Sequence, residues 1–113
     1  MRRAHDVEQV RAAEAALELF GRVASQDAEN TDALTGRGLC YFELEKYAPA
    51  EASFVAALRL DPRLPDALLG LAETYRYQGR KSEAISHYEK YLAHHPHGED
   101  VEVARNALSE LRN

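Results

Sequence analysis

The chain repeats itself every 34 residues, and nothing else in it narrows the possible folds so far. Laid over 65–98, residues 31–64 match identically at Asp32/Asp66, Ala33/Ala67, Leu34/Leu68, Gly36/Gly70, Tyr41/Tyr75, Ala50/Ala84, Leu58/Leu92 and Pro62/Pro96. Ordinary composition predicts about two such matches by chance. One period earlier the same register places Ala16, Phe20 and Ala24 over Ala50, Phe54 and Leu58, and over Ala84, Tyr88 and Leu92, so a first copy is partly present. A unit this short cannot bury a hydrophobic face alone and must stack on its neighbours.

Each copy reads as two helices joined by a tight turn. Leu34, Gly38 and Tyr41, like Leu68, Ala72 and Tyr75, recur at i, i+4 and i+7, one apolar stripe that faces a partner helix. Gly79 stands where the first helix of its copy should end, a place that favours a left-handed residue. The second helices are expected from about Ala48 to Leu60 and from about Ser82 to His94; Pro49 is tolerable in a first turn, and Pro62 and Pro96 stop them. Small residues at Gly38, Ala72, Ala50 and Ala84 let backbones approach while Tyr41, Tyr75, Phe54 and Tyr88 fill the gaps. Tyr41, Tyr75 and Tyr88 are therefore read as core and not as an aromatic binding box.

The two ends look like caps. Residues 99–113 form an amphipathic helix with Ala104, Ala107, Leu108 and Leu111 inward and Glu102, Arg105, Asn106 and Glu110 outward. Residues 1–30 are a partial first repeat or a long N-terminal helix. Between Asp6 and Ala28 the only Gly or Pro is Gly21, which favours one long helix; a break near Val10 to Ala12 would instead complete a third repeat. The chain, 1–113, is read as a single all-α domain with full repeats at 31–64 and 65–98 and a C-terminal capping helix.

These residues resemble the tetratricopeptide repeat (TPR), whose pattern runs W-x2-L-G-x2-Y, then A-x3-F, then P. In the first full copy the motif falls on Leu34, Arg37, Gly38, Tyr41, Ala50, Phe54, Ala57 and Pro62; in the second it falls on Leu68, Leu71, Ala72, Tyr75, Ala84, Tyr88, Tyr91 and Pro96. Arg37 replaces a usual Leu, which implies looser packing or an aliphatic stem lying over the core. Tyr91 replaces a usual small residue, so the following helix is expected farther away or offset. The resemblance implies antiparallel helix pairs stacked as a short right-handed TPR solenoid. It also implies a concave surface, lined by the first helix of each repeat, that binds extended peptides or partner helices.

Mapped onto this chain, that surface consists of Asp32, Thr35, Leu39, Phe42 and Glu43, then Asp66, Leu69, Glu73, Arg76 and Tyr77. Leu39, Phe42, Leu69 and Tyr77 lie off the interhelical stripe and are expected to form an apolar binding patch, unless the caps cover some of them. Family members that clamp the C-terminal carboxylate of heat-shock chaperones use Asn and Lys or Arg on this face. Here the matching places hold Leu39 and Glu73, so that ligand is not expected. With Asp32, Glu43, Asp66 and Glu73 against the single cation Arg76, the face suits a protein or peptide with basic and apolar side chains.

Other classes find less support. Fourteen Lys plus Arg against nineteen Asp plus Glu give a formal charge of -5 with no basic stripe, so nucleic acid is not an expected partner. Arg2 and Arg3 are followed by Ala4-His5-Asp6-Val7-Glu8, not by the apolar run of a secretory leader, and no stretch approaches the ~20 apolar residues that span a bilayer. The single Cys40, among Leu39, Tyr41 and Phe42, reads as a buried structural thiol in a reducing cytoplasm. His94, His95 and His97 with His87 invite a metal, but adjacent His point apart, Pro96 fixes a turn and no Cys or second carboxylate stands at ligand spacing; neither metal nor cofactor is expected. Ser25, Ser53, Ser82, Ser86 and Ser109 lack a nucleophile-elbow context and there is no phosphate-binding Gly loop, so no enzyme is expected. The expected function is an interaction module or adaptor that binds a partner peptide or helix. The alternatives are a homodimerisation module whose groove is self-occupied, or a secretion-type chaperone.

Overall fold

Local signals in the chain start and stop the helices of a computed structural model that describes residues 4–113, with side chains from Asp6 onward. Its elements are α1 (Ala4–Gln26), α2 (Thr31–Glu43), α3 (Tyr47–Leu60), α4 (Pro65–Tyr77), α5 (Lys81–His94) and α6 (Val101–Arg112). Arg2 and Arg3, weighed above as part of a leader, lie outside the described residues. The Asn30 side chain caps α2 by accepting the Ala33 N–H at 2.9 Å, and Pro65 opens α4, where its missing N–H costs nothing. Helix α1 runs through Val10 to Ala12 without a break. Each helix packs on the next, and α2 also lies beside α4, so the architecture is an all-α helical repeat.

The two repeat turns are built alike. Glu45 N–H donates to the Phe42 carbonyl and Lys46 N–H to the Tyr41 carbonyl at 2.9 and 2.8 Å; Gly79 and Arg80 donate to Arg76 and Tyr75 at 3.0 and 2.8 Å. This pairing forces a left-handed residue after the helix, at φ 60° for Glu45 and φ 75° for Gly79. Glycine takes that conformation freely, whereas a side chain costs about 1 kcal/mol. Glu45→Gly is accordingly expected to raise stability by roughly 0.5–1 kcal/mol in urea denaturation.

Large rings set into bare backbone hold the stack together. A Cβ added to Gly36 would lie 2.6 Å from the Phe20 ring; at Gly38 and Gly70 it would lie 2.7 and 2.5 Å from the Phe54 ring. Phe54, on α3, thus fills a notch in its own repeat and another in the next, and it is fully buried. Tyr88 occupies the same place one period later and is also fully buried. Tyr41, Tyr75 and Tyr88 all pack in or against the core, with Tyr41 partly buried.

Both departures from the repeat pattern have a structural explanation. The Arg37 guanidinium leaves the core edge to donate its Nε–H to Ser53 Oγ at 3.2 Å, and Ser53 in turn donates to the Pro49 carbonyl at 3.0 Å. Tyr91 is buried, and its hydroxyl accepts the Asp100 N–H at 3.0 Å in the connection to α6. Pro65 opens α4, and one period of 34 residues later falls position 99, yet α6 starts at Val101. Helix α6 thus begins two residues later than strict periodicity would place it. Ala104, Ala107 and Leu108 of α6 are buried and Leu111 packs partly against the core, which closes this end of the stack.

Candidate peptide-binding face

The first helices of the two full repeats, α2 and α4, present the face mapped from the sequence, and two groups of its residues converge. Asp32, Thr35, Leu39 and Asp66 line one pocket of about 310 Å3 together with Gly36, Leu64 and Pro65. Leu39, 45% exposed, stands at the junction with a second, mainly apolar cleft of about 420 Å3 between α1 and α2. That cleft is lined by Gln9, Ala12, Ala13, Phe20, Gly36, Cys40 and Glu43 besides Leu39. The α1 residues in it went unnoticed in the sequence, where the face was assigned to repeat helices alone.

Phe42 and Tyr77 meet edge to face with ring centroids 5.3 Å apart. A third ring that the sequence did not single out, Tyr47 at the start of α3, lies 5.6 Å from Phe42 and stacks on Tyr77 at 5.7 Å. Each aromatic pair of this geometry contributes about 0.5–1.5 kcal/mol beyond the area it buries. The contacts also correct the reading of Phe42 as an open residue: its ring is half-buried between Tyr47 and Tyr77, and Tyr77, 63% exposed, is the member offered to solvent. Two further corrections apply. Leu69 is half-buried against the core, and Thr35 is buried at 8% exposure.

The electrostatics of the face are acidic. Asp32, Glu43 and Asp66 are exposed. Burial pushes the Glu73 carboxyl up, with Arg76 opposing and Asp100 reinforcing the shift. Arg76, the one cation among the mapped residues, pairs with Glu110 of α6 and lies beside the Tyr88 hydroxyl, whose pKa is pushed up to about 12, chiefly by burial. That pair is solvent-exposed, so it offsets the Arg76 charge only in part. Cys40 is buried and its thiol is pushed up by desolvation, which disfavours the thiolate.

Two of the histidines serve as fasteners. His95 Nε2 lies 2.6 Å from the Arg63 carbonyl, so the nitrogen donates and ties the end of α5 to the connection before α4; His87 Nδ1 donates to the Glu83 carbonyl at 2.9 Å. Among the described residues no group of three His, Cys, Asp or Glu is arranged to hold a metal ion. Nor is any described helix long and apolar enough to cross a membrane.

A family model described as tetratricopeptide repeat matches residues 2–65 and 41–99. The chain belongs to the tetratricopeptide repeat family. Among curated proteins, the TPR chain is 32% identical over 81 residues to the probable UDP-N-acetylglucosamine–peptide N-acetylglucosaminyltransferase SPINDLY of Solanum lycopersicum. The match takes in 72% of the chain and 9% of that relative, so the chain spans less than a tenth of its length. Among solved structures, the first TPR of Spaghetti (RPAP3) bound to HSP90 peptide SRMEEVD superposes with a TM-score of 0.83 at 24% identity, over 89% of this chain and 78% of that one. The Yersinia enterocolitica type III secretion chaperone SycD in complex with a peptide of the translocator YopD gives 0.84 at 17% identity, over 96% and 88%. At these identities the likeness is one of fold. Family and fold together make the chain a protein-interaction module.

Proposed function

We propose that the module is an adaptor whose α2–α4 face holds an extended or helical segment of a partner protein, one carrying basic and apolar side chains. The observation that supports this most is the mixed character of the face: Leu39 and Tyr77 are exposed among Asp32, Glu43 and Asp66, while Arg76 is paired with Glu110. An acidic peptide of the kind bound by the RPAP3 domain would meet Leu39 and Glu73 here, an apolar side chain and a like charge. The role is binding and not catalysis, and a reducing compartment such as the cytoplasm suits the buried Cys40 thiol. Selection of a displayed peptide library on the natural chain, and on a Leu39→Asp, Tyr77→Asp variant shown to be folded by circular dichroism, tests the proposal. Peptides with basic and apolar residues are expected to be enriched on the natural chain and to bind the variant at least about tenfold more weakly. A library that yields no ligand for the natural chain would sink the reading.

A second reading, assembly with another copy, is favoured by α1. Leu19 and Val23 are 59% and 40% exposed on a helix that has no repeat packed before it among the described residues. Light scattering across a concentration series, with Leu19→Glu as the comparison, separates the two readings: a dimer lost in the variant supports assembly, and a monomer throughout removes it.

A further inference from the structure

We propose that the apolar cleft between α1 and α2 is a seat for one helix of a partner protein, which packs there as α2 packs on α3 and α4. The inference goes beyond the α2–α4 face and adjoins it at Leu39. One repeat further on, the chain supplies the covering helix itself. Phe54 is held between Gly38 of α2 and Gly70 of α4, Ser53 Oγ accepts the Nε–H of Arg37 from α2, and Tyr77 meets the Phe42 ring of α2. One period earlier these three positions are Phe20, Leu19 and Glu43. Phe20 meets the backbone at Gly36 on one side, lines the cleft of about 420 Å3 and is only partly buried. Positions 10–12, one period before the turn at Leu44, Glu45 and Lys46, lie inside α1, so among the described residues no helix folds back over this surface.

The side chains left open are apolar. Leu19 and Val23 are exposed, whereas Ser53 and Ala57, one period later, are buried and are smaller or more polar. The other end of the stack shows what a face kept in water looks like, for the outer side of α6 carries Glu102, Arg105, Asn106 and Ser109, all exposed. Two large aliphatic side chains at positions that the repeat otherwise buries therefore point to a surface made to be covered.

The contacts of α2 also specify the occupant. Opposite Phe20 it carries a Gly, because even a Cβ added at Gly38 would lie 2.7 Å from the equivalent ring of Phe54. The residue before that Gly faces Leu19 and is aliphatic, where Arg37 faces the hydroxyl of Ser53. The residue four after the Gly faces Glu43 and is basic, where Phe42 faces Tyr77; Glu43 is exposed and joins none of the ion pairs among the described residues. The partner helix thus reads Leu-Gly-x3-Arg or Leu-Gly-x3-Lys. A second copy of this chain offers no such helix: α2 to α5 are held between their neighbours, and neither α1 nor α6 carries an aliphatic residue followed by Gly.

The probe is a fluorescein-labelled peptide of residues 31–43 that carries Arg37→Leu and Phe42→Arg. A hydrocarbon staple between positions 36 and 40, the side on which α2 meets α1, holds it helical. Anisotropy titration with the natural chain is expected to saturate with a Kd below about 1 mM. Gly38→Leu in the probe is expected to weaken binding at least about tenfold, the effect of forcing a side chain against a packed ring. A probe with Phe42→Glu in place of Phe42→Arg should bind about threefold or more weakly, and a Glu43→Lys chain should reverse that order. Leu19→Glu, at an exposed position of α1, should weaken the probe about tenfold and leave the melting temperature unchanged. The Gly38→Leu exchange needs no protein variant, so it decides the matter even if a variant misfolds. A titration that does not saturate below about 1 mM overturns the proposal, as does equal binding of the Gly38→Leu probe. A dimer of the natural chain that Leu19→Glu abolishes also overturns it, because the seat then belongs to a second copy. Library ligands of the α2–α4 face should bind the Leu19→Glu chain as they bind the natural one. If they bind and the probe does not, the seat fails and the α2–α4 reading stands; if the probe binds and the library is empty, the reverse holds.

Discussion

Phe54→Ala is expected to remove about 4 kcal/mol of stability and to lower the melting temperature by about 15 °C or more, measured by urea and thermal denaturation with circular dichroism. A fully buried Phe truncated to Ala costs about 3–5 kcal/mol in general, and this ring sits where that cost cannot be relieved. On one side its seat is the backbone at Gly38 and on the other the backbone at Gly70, and helical backbone does not collapse into a void as a side chain would. Against a total stability of about 5–15 kcal/mol for a domain of this class, the loss brings the chain close to unfolding. Phe54→Leu, which keeps most of the volume, should cost markedly less. Equal effects of the two variants would mean that the notch is not the source of the energy.

Tyr91→Ala is expected to cost about 3–5 kcal/mol, and Tyr91→Phe about 1 kcal/mol. The difference separates two roles of one residue: the ring fills the space under the α5–α6 connection, while the hydroxyl accepts the Asp100 N–H just before α6 begins. Hydrogen exchange is the more informative readout. In Tyr91→Ala, protection should fall first in α6 and the end of α5, with α2 and α3 affected least, because a stacked array transmits disturbance mainly between neighbours. Uniform loss of protection across all helices would show that the cap is not separable from the rest.

Most of the fold was legible because its period is a packing requirement. A ring, a notch and a turn must recur together or the stack does not close, so Gly36 and Gly70, Phe54 and Tyr88, Pro62 and Pro96 could be read directly. Glu45 was not legible as a turn residue. Its left-handed backbone is imposed by the same hydrogen bonds that act at Gly79, and a Glu carries no local signal for that conformation. The binding face was read less well for a related reason. Periodicity along one helix identifies the side that meets its partner but not what neighbouring elements cover, and Leu69 and most of Thr35 are withdrawn from the open surface. Tyr47 escaped notice because its contacts, with Phe42 across the turn of its own repeat and with Tyr77 of the next, follow no helical spacing.

The ring-and-notch contacts between one copy and the next run in a constant direction. Phe20 fills the notch at Gly36 and Phe54 the one at Gly70, each reaching 16 residues toward the C-terminus. The first full repeat therefore hands a plug forward and receives one from behind, and the array has a polarity like that of a filament assembled from its head. Another 34-residue unit spliced between the two full repeats would find both couplings already made to measure, whereas the same unit reversed in order would meet ring with ring and backbone with backbone. Growth of such a protein by duplication in register requires no new interface to be invented.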